Sequence, residues 1–129
     1  FSPGVDVTST FEEELAERYG INSFMVDFSV DKPPIDNKFF HFDKKFLGNK
    51  NDEKFIRLED WVKNNTSDNS DLLLQMDIEG AELDFLRGAT GIINKSKNLI
   101  IIMEIVEENC VAAGYTGEEL YKYVVDLGL

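Results

Sequence analysis

Two carboxylates follow the apolar run 72–74 where the chain changes from strand to helix character. Asp77 and Glu79 come directly after a pattern typical of a buried strand, and Gly80 allows a tight turn behind them. Carboxylates held close together in a partly dry cleft repel each other, and this repulsion can give one of them the raised pKa of a general base. The alternative is that both side chains stabilise the N-terminus of the next helix. We favour a site role for Asp77 and Glu79, and we expect Glu82 to be solvated.

A second set of candidates lies nearer the start of the chain. Pro3 and Gly4 lead from strand character towards the capped start of a helix, where backbone and helix dipole can face a ligand closely. With a single glycine this signal is weak, and an ordinary strand-to-helix turn is the alternative. Asp27 ends the next strand about twenty residues later, where nucleotide-binding α/β folds place an acid that accepts the ribose hydroxyls. Phe28 would then flank the base; the alternative is a solvated Asp27 with Phe28 in the core.

The elements alternate in type, which predicts βαβ units and a largely parallel sheet. We predict strands over 1–5, 21–28, 38–42, 72–77 and 99–105. The run 99–105 is the most apolar and β-branched of these, so we expect it to be central in the sheet. Glu104 within it is costly unless it is paired with a lysine such as Lys95 or Lys97, or faces a cleft where it helps to bind a substrate; both remain open. The adjacent prolines Pro33 and Pro34 predict that no long helix follows the second strand.

Apolar residues at helical spacing and capping residues mark the helices. Thr8-Ser9-Thr10 offers N-caps, with Glu12 and Glu13 as capping-box partners, and the first helix ends at Gly20. The region 48–52 is a polar loop, and a short helix begins at Leu58. Further helices are predicted over 81–87, closed by Gly88, over 107–113, and after the capping box Thr116–Glu119.

The composition of the chain limits the classes of protein to which it can belong. The 129 residues suit a single domain, 1–129, and carry 13 basic and 25 acidic residues, a net charge of −12 that disfavours a nucleic-acid partner. No apolar run is long enough to cross a bilayer, and no secretory leader is recognisable. One cysteine, Cys110, and one histidine, His41, exclude an internal disulfide and a soft-ligand metal cluster, and indicate a reducing, cytoplasmic setting. We predict no metal site, while noting that clustered carboxylates are ligands for Mg²⁺ or Ca²⁺.

The segment Leu74–Gly88, with Asp77-Ile78-Glu79-Gly80-Ala81-Glu82 inside it, resembles the strand-four motif of FkbM-type methyltransferases. Leu58–Val62 resembles the family's segment before strand four, and Ile101–Ile105 resembles its strand five. Weaker similarities lie at Gly4 with 11–16 and at the end of strand two. The resemblance therefore spans nearly the whole chain.

The resemblance implies an α/β, three-layer, Rossmann-like methyltransferase sheet, mostly parallel and truncated to about five strands by a chain incomplete at both ends. It implies S-adenosylmethionine as cofactor, with Asp77 and Glu79 as catalytic residues. The cofactor-binding residues would be Pro3, Gly4, Asp27, Phe28 and Asp77. Two features depart from the family pattern: the first turn lacks its fuller acidic-and-glycine motif, and Val106 stands where many relatives carry histidine.

Three functions are compatible with these patterns. The leading one is methylation of a hydroxyl group on a small-molecule or glycan acceptor. The second is a non-catalytic, methyltransferase-like interaction module that forms a homodimer through an exposed sheet edge. The third, a dehydrogenase, is disfavoured because the glycine pattern of dinucleotide-binding folds is incomplete.

Overall fold

The computed structural model describes residues 1–5, 7–67 and 71–129, and these form a mixed α/β structure. The strands within them are β1 Ser2–Pro3, β2 Ser23–Val26, β3 Phe40–Asp43, β4 Phe46–Leu47, β5 Phe55–Ile56, β6 Leu72–Met76 and β7 Leu99–Met103. The helices are α1 Thr10–Tyr19, α2 Leu58–Asn65, α3 Glu82–Lys95, α4 Glu107–Ala112 and α5 Gly117–Asp126. Strands and helices largely alternate along the chain, as predicted from the sequence.

Every strand pairing among the described residues is parallel. β2 lies between β1 and β3, while β4 pairs with β5 and β6 with β7. Phe1 connects the first of these groups to the last: its nitrogen lies 2.8 Å from Leu73 O, and its carbonyl accepts a hydrogen bond from Gln75 N at 2.9 Å. These bonds bring the carboxyl ends of β1 and β6 to the same edge.

In the first half of the chain the structure confirms most of the local predictions and shows that one of them is wrong. α1 ends where Gly20 adopts a left-handed conformation with φ of 65°, as its position predicted. The predicted capping box at the other end is wrong, because Ser9 makes no side-chain cap and Glu12 is buried. No helix separates β2 from β3, in agreement with the paired prolines. The loop predicted over 48–52 is confirmed, and it connects two short strands, β4 and β5, that were not predicted.

α3 extends well past the predicted end at Gly88 and continues to Lys95. The apolar spacing continues through Ala89 and Ile93, which are both buried, and this tertiary burial outweighs the low helix propensity of glycine. Gly91 faces Glu59 of α2 so closely that a Cβ would collide with that carboxylate. Gly91 therefore lies at the contact between α2 and α3, where the end of the Glu59 side chain occupies the space beside it.

The position of β7 also differs from the prediction. Among the described strands it pairs only with β6, with Leu74 opposite Ile101, so it is an edge strand and not a central one. Leu99, Ile101 and Met103 pack against the core, whereas Ile100 and Ile102 remain 62% and 45% exposed. The strand is therefore apolar along its whole length, although one of its faces packs on the core and the other is largely exposed.

The main core lies on one face of β6. Leu72, Leu74 and Met76 are buried there against residues of α2, α3 and α5, including the fully buried Trp61. The indole N–H of Trp61 donates to Asp43 Oδ2 at 2.8 Å, which satisfies the polar atom of this core side chain. The opposite face of β6 carries Gln75 and meets α1 through Ser2.

Candidate functional site

A cavity of about 1230 Å³ opens at the carboxyl ends of β1, β2 and β6. It is lined by parts of the β1–α1 turn, the end of β2, the β4–β5 region and the turn between β6 and α3. Of the residues predicted from the sequence, those that line it are Pro3, Gly4, Asp27, Asp77 and Glu79. Phe28 does not line it but lies beside it, its ring 5.1 Å from that of Phe46 in the cavity wall.

Gly4 is the point where the first turn touches the end of β6. Its φ is 85°, a region that side chains of L-residues rarely adopt, and its N–H donates to Val26 O at 3.1 Å. A Cβ on Gly4 would collide with the carbonyl oxygen of Asp77 and lie 3.1 Å from its carbonyl carbon. Glycine is therefore required here for two separate reasons, conformation and space.

Asp27 joins the end of β2 to the first turn. Its Oδ2 accepts from Val5 N at 3.0 Å, and its Oδ1 accepts from Ser29 N and Ser29 Oγ, both at 2.6 Å. Partial burial acts to raise the pKa of Asp27, but the hydrogen bonds from Ser29 and Val5 outweigh it, and the pKa lies below its ordinary value. The side chain is therefore an anion at neutral pH, with remaining acceptor capacity on Oδ2.

Asp77 and Glu79 lie in the turn between β6 and α3, and both are exposed to the cavity. Glu79 has a φ of 47°, the one non-glycine residue with positive φ in the described chain, and Gly80 follows with 102°. α3 has no side-chain cap, and neither carboxylate has a hydrogen bond or ion pair with the described residues. Neither carboxylate therefore caps α3 through a hydrogen bond among the described residues, and both face the cavity.

Glu12 and Gln75 are cavity residues that sequence reasoning missed. Ser2 Oγ donates to Glu12 Oε1 and lies 2.7 Å from Gln75 Oε1, so the three side chains connect α1, β1 and β6. Glu12 is only 8% exposed but still lines the cavity. A signal was present in the sequence: Ala16, one turn later on the same helix face, is small enough to let that face approach the sheet.

The β4–β5 region forms part of the cavity wall. Phe46 and Phe55 line it, with their rings 5.8 Å apart, together with Lys45 and Lys50. Asp52 orders the loop between the strands: hydrogen bonds from Lys50 and from the backbone N–H groups of Lys54 and Phe55 lower its pKa to about 2. The polar loop predicted over 48–52 is thus a structured edge of the cavity.

Two further glutamates differ from what their sequence context suggested. Glu82 is not solvated; it is 5% exposed and accepts hydrogen bonds from Gly80 N and Tyr115. Glu104 lies just past the end of β7, exposed and outside the cavity lining. Within the described residues it has no ion pair with Lys95 or Lys97.

No group of three or more His, Cys, Asp or Glu side chains is arranged to hold a metal ion in the part of the chain that the structure describes. None of its helices has the length and apolar character that a membrane span requires.

A family model described as a methyltransferase FkbM domain matches residues 13–128. Comparisons with curated proteins and with solved structures gave no significant match.

Proposed function

Because the chain belongs to the FkbM methyltransferase family, we propose that it is an S-adenosylmethionine-dependent methyltransferase that acts on a hydroxyl group of a small-molecule or glycan acceptor. One observation carries the proposal. The Gly4 turn and the carboxylates of Asp27, Asp77 and Glu79 all line a single cavity, although they are separated by up to 75 positions in the chain.

The proposed architecture behind this site is one Rossmann-like sheet in the order β3-β2-β1-β6-β7. The two backbone hydrogen bonds between Phe1 and β6 support it. They join Phe1 to Leu73 and to Gln75, the residues on either side of Leu74, and this is the pattern of a parallel ladder. α1 lies on one face, where Ser2 contacts Glu12, and α2, α3 and α5 lie on the other. In such sheets ligands bind outside the carboxyl ends of the strands, which is where the cavity opens.

The residues present fit the cofactor. Asp27 would accept a ribose hydroxyl on Oδ2, where acceptor capacity remains, and the Ser29 hydroxyl can rotate away to free a place on Oδ1. The backbone of Pro3 and Gly4 would face the cofactor's amino-acid end, in a space that a Cβ would disturb. Phe28, which follows Asp27 in the chain, and Phe46 have their rings 5.1 Å apart and tilted by 40°, and together they would offer an aromatic surface for the adenine ring.

The acceptor end of the site is assigned to Asp77 and Glu79. When bound, S-adenosylmethionine supplies an electrophilic methyl group on a positively charged sulfur. The carboxylates favour that positive charge by Coulomb attraction in a partly enclosed cavity. One of them would also accept the proton that the acceptor hydroxyl gives up, because neither is occupied by a partner among the described side chains.

Calorimetric titration with S-adenosylhomocysteine tests the proposal. We expect the folded chain to bind it, and Asp27→Ala to weaken binding by about tenfold or more, the loss typical of a hydrogen bond to a charged group. Asp31→Ala is the matched control, since it removes the same charge from an exposed loop outside the cavity lining. A folded wild-type chain that does not bind, or an Asp27→Ala variant that binds as well as wild type, would contradict the assignment.

The interaction-module function stays a second candidate because of β7. Its outer edge has no partner in the described chain, and Ile100 and Ile102 are exposed beside it. Antiparallel pairing of two copies about Ile101 would place Ile100 of one copy opposite Ile102 of the other. Light scattering decides this: a dimer that Ile102→Lys dissociates supports it, and a strict monomer that binds S-adenosylhomocysteine contradicts it.

A further inference from the structure

We infer that Glu82 and Tyr115 are positioning residues that hold the turn between β6 and α3 in the shape that directs Asp77 and Glu79 into the cavity. This inference rests on the proposed function, because it concerns how the cofactor and acceptor carboxylates are placed. Neither residue lines the cavity, so neither is expected to touch a ligand.

The turn needs support because its backbone is unfavourable. Glu79 has a φ of 47° and Gly80 a φ of 102°, and a left-handed conformation is unfavourable for a non-glycine residue such as Glu79. Strain of this kind persists only where surrounding contacts fix it. The surroundings must therefore supply bonds specific to this conformation.

Glu82 supplies the first of them. Its two carboxylate oxygens lie 3.2 and 2.9 Å from Gly80 N, so it accepts the N–H of the very residue that completes the turn. The side chain is 95% buried, and a buried carboxylate without partners would be strongly disfavoured. Its burial is consistent with a fixed place in the turn, which a solvated helix residue would not need.

Tyr115 supplies the second, from a separate part of the chain. Its hydroxyl lies 2.8 Å from Gly80 O and 2.9 Å from Glu82 Oε2, so one proton is shared between the turn's carbonyl and the carboxylate. Burial, and then the hydrogen bond and charge of Glu82, raise the pKa of Tyr115 above its ordinary value. The hydroxyl therefore keeps its proton, and the bond, throughout the physiological pH range.

The two residues together enclose Gly80. Its N–H is held by Glu82 and its carbonyl by Tyr115, while α4 closes the third side: a Cβ on Gly80 would lie 2.8 Å from Asn109 O. The backbone of Tyr115 is itself tied to α4, since its N–H donates to Cys110 O at 3.1 Å. The turn that presents Asp77 and Glu79 is thus attached to the α4–α5 connection, 35 residues away from Gly80.

Tyr115→Phe tests the inference, because it removes one hydroxyl and keeps the packing. Loosening the turn lowers the fraction of molecules with a binding-competent cavity, so we expect S-adenosylhomocysteine to bind about threefold to tenfold more weakly. Tyr121→Phe is the matched control: it loses the same hydroxyl from an exposed position on α5 and should bind as wild type does. Titrations are made well below the melting temperature of each variant, where a change in global stability alone leaves Kd unchanged.

A pair of substitutions at Glu82 provides a second readout. Glu82→Gln keeps an oxygen acceptor for Gly80 N–H and should retain most of the affinity, whereas Glu82→Leu should lose at least as much as Tyr115→Phe. If wild type binds and Tyr115→Phe binds equally well, with only its melting temperature lowered, the inference is overturned and the proposed function stands. If the folded wild-type chain does not bind at all, the proposed function fails and the inference fails with it.

Discussion

Replacing Gly4 with alanine places a methyl group where the fold has no room for one. The φ of 85° at this position costs an L-residue about 1–2 kcal/mol. The new Cβ would also lie inside 3.0 Å of the Asp77 carbonyl oxygen, and atoms of this size need roughly 3.5 Å, so the turn or the end of β6 must move. Overpacking of this kind typically costs a further 1–3 kcal/mol, which gives a total of about 2–5 kcal/mol.

Thermal unfolding measures this loss directly. For a chain of this size each kcal/mol corresponds to roughly 4 °C, so the melting temperature of Gly4→Ala should fall by about 8–20 °C. Gly20→Ala is the matched control. Gly20 also has a positive φ, 65°, but a Cβ there would meet only Phe39 at 3.9 Å, an ordinary contact. We expect that variant to lose about 1–2 kcal/mol, from backbone strain alone.

A binding measurement distinguishes the effect of the close contact between residue 4 and the Asp77 carbonyl from the effect of backbone strain. Gly4→Ala should also weaken S-adenosylhomocysteine binding, because the backbone that moves is cavity wall, whereas Gly20→Ala should not. Equal losses of stability in the two variants, with unchanged binding in both, would refute the view that Gly4 is in contact with the end of β6.

Two further predictions concern other parts of the molecule. Because the folded-state pKa of Asp27 is lowered, its stabilising contribution is complete well above the unfolded value of about 3.9 and is lost as pH falls through the folded pKa. The stability difference between wild type and Asp27→Asn should therefore shrink between pH 6 and pH 3 in denaturant titrations, and a constant difference would contradict this. Thr116→Val removes the hydroxyl that accepts from Glu119 N at 3.2 Å in the α5 capping box, and should cost about 1 kcal/mol. An unchanged melting temperature would show that the rest of the helix compensates.

Local features could be predicted because local chemistry decides them. The end of α1 at Gly20 and the capping box at Thr116 and Glu119 follow from residues within a few positions of one another. The absence of a helix after β2 follows in the same way from Pro33 and Pro34. None of these features needs information from a distant part of the chain.

The errors arose where distant packing decides the outcome. Gly88 looked like a helix end, but burial of Ala89 and Ile93 against the core carries α3 further. The run 99–105 was predicted to be a central strand because it is the most apolar, but amino-acid composition does not determine how many neighbouring strands a strand pairs with. Glu12 and Glu82 looked solvated or local, and both are buried by partners in other elements.

The sequence by itself determined the α/β class, the motif that contains Asp77 and Glu79, and the family to which the chain belongs, because these depend on residue type and spacing. Only the tertiary structure decided which groups meet in one cavity. Gly4 reaches the Asp77 carbonyl, and Tyr115 reaches Gly80, through contacts between residues far apart in the chain. Such contacts depend on how the strands pair and on which face each helix covers, and no local pattern encodes those choices.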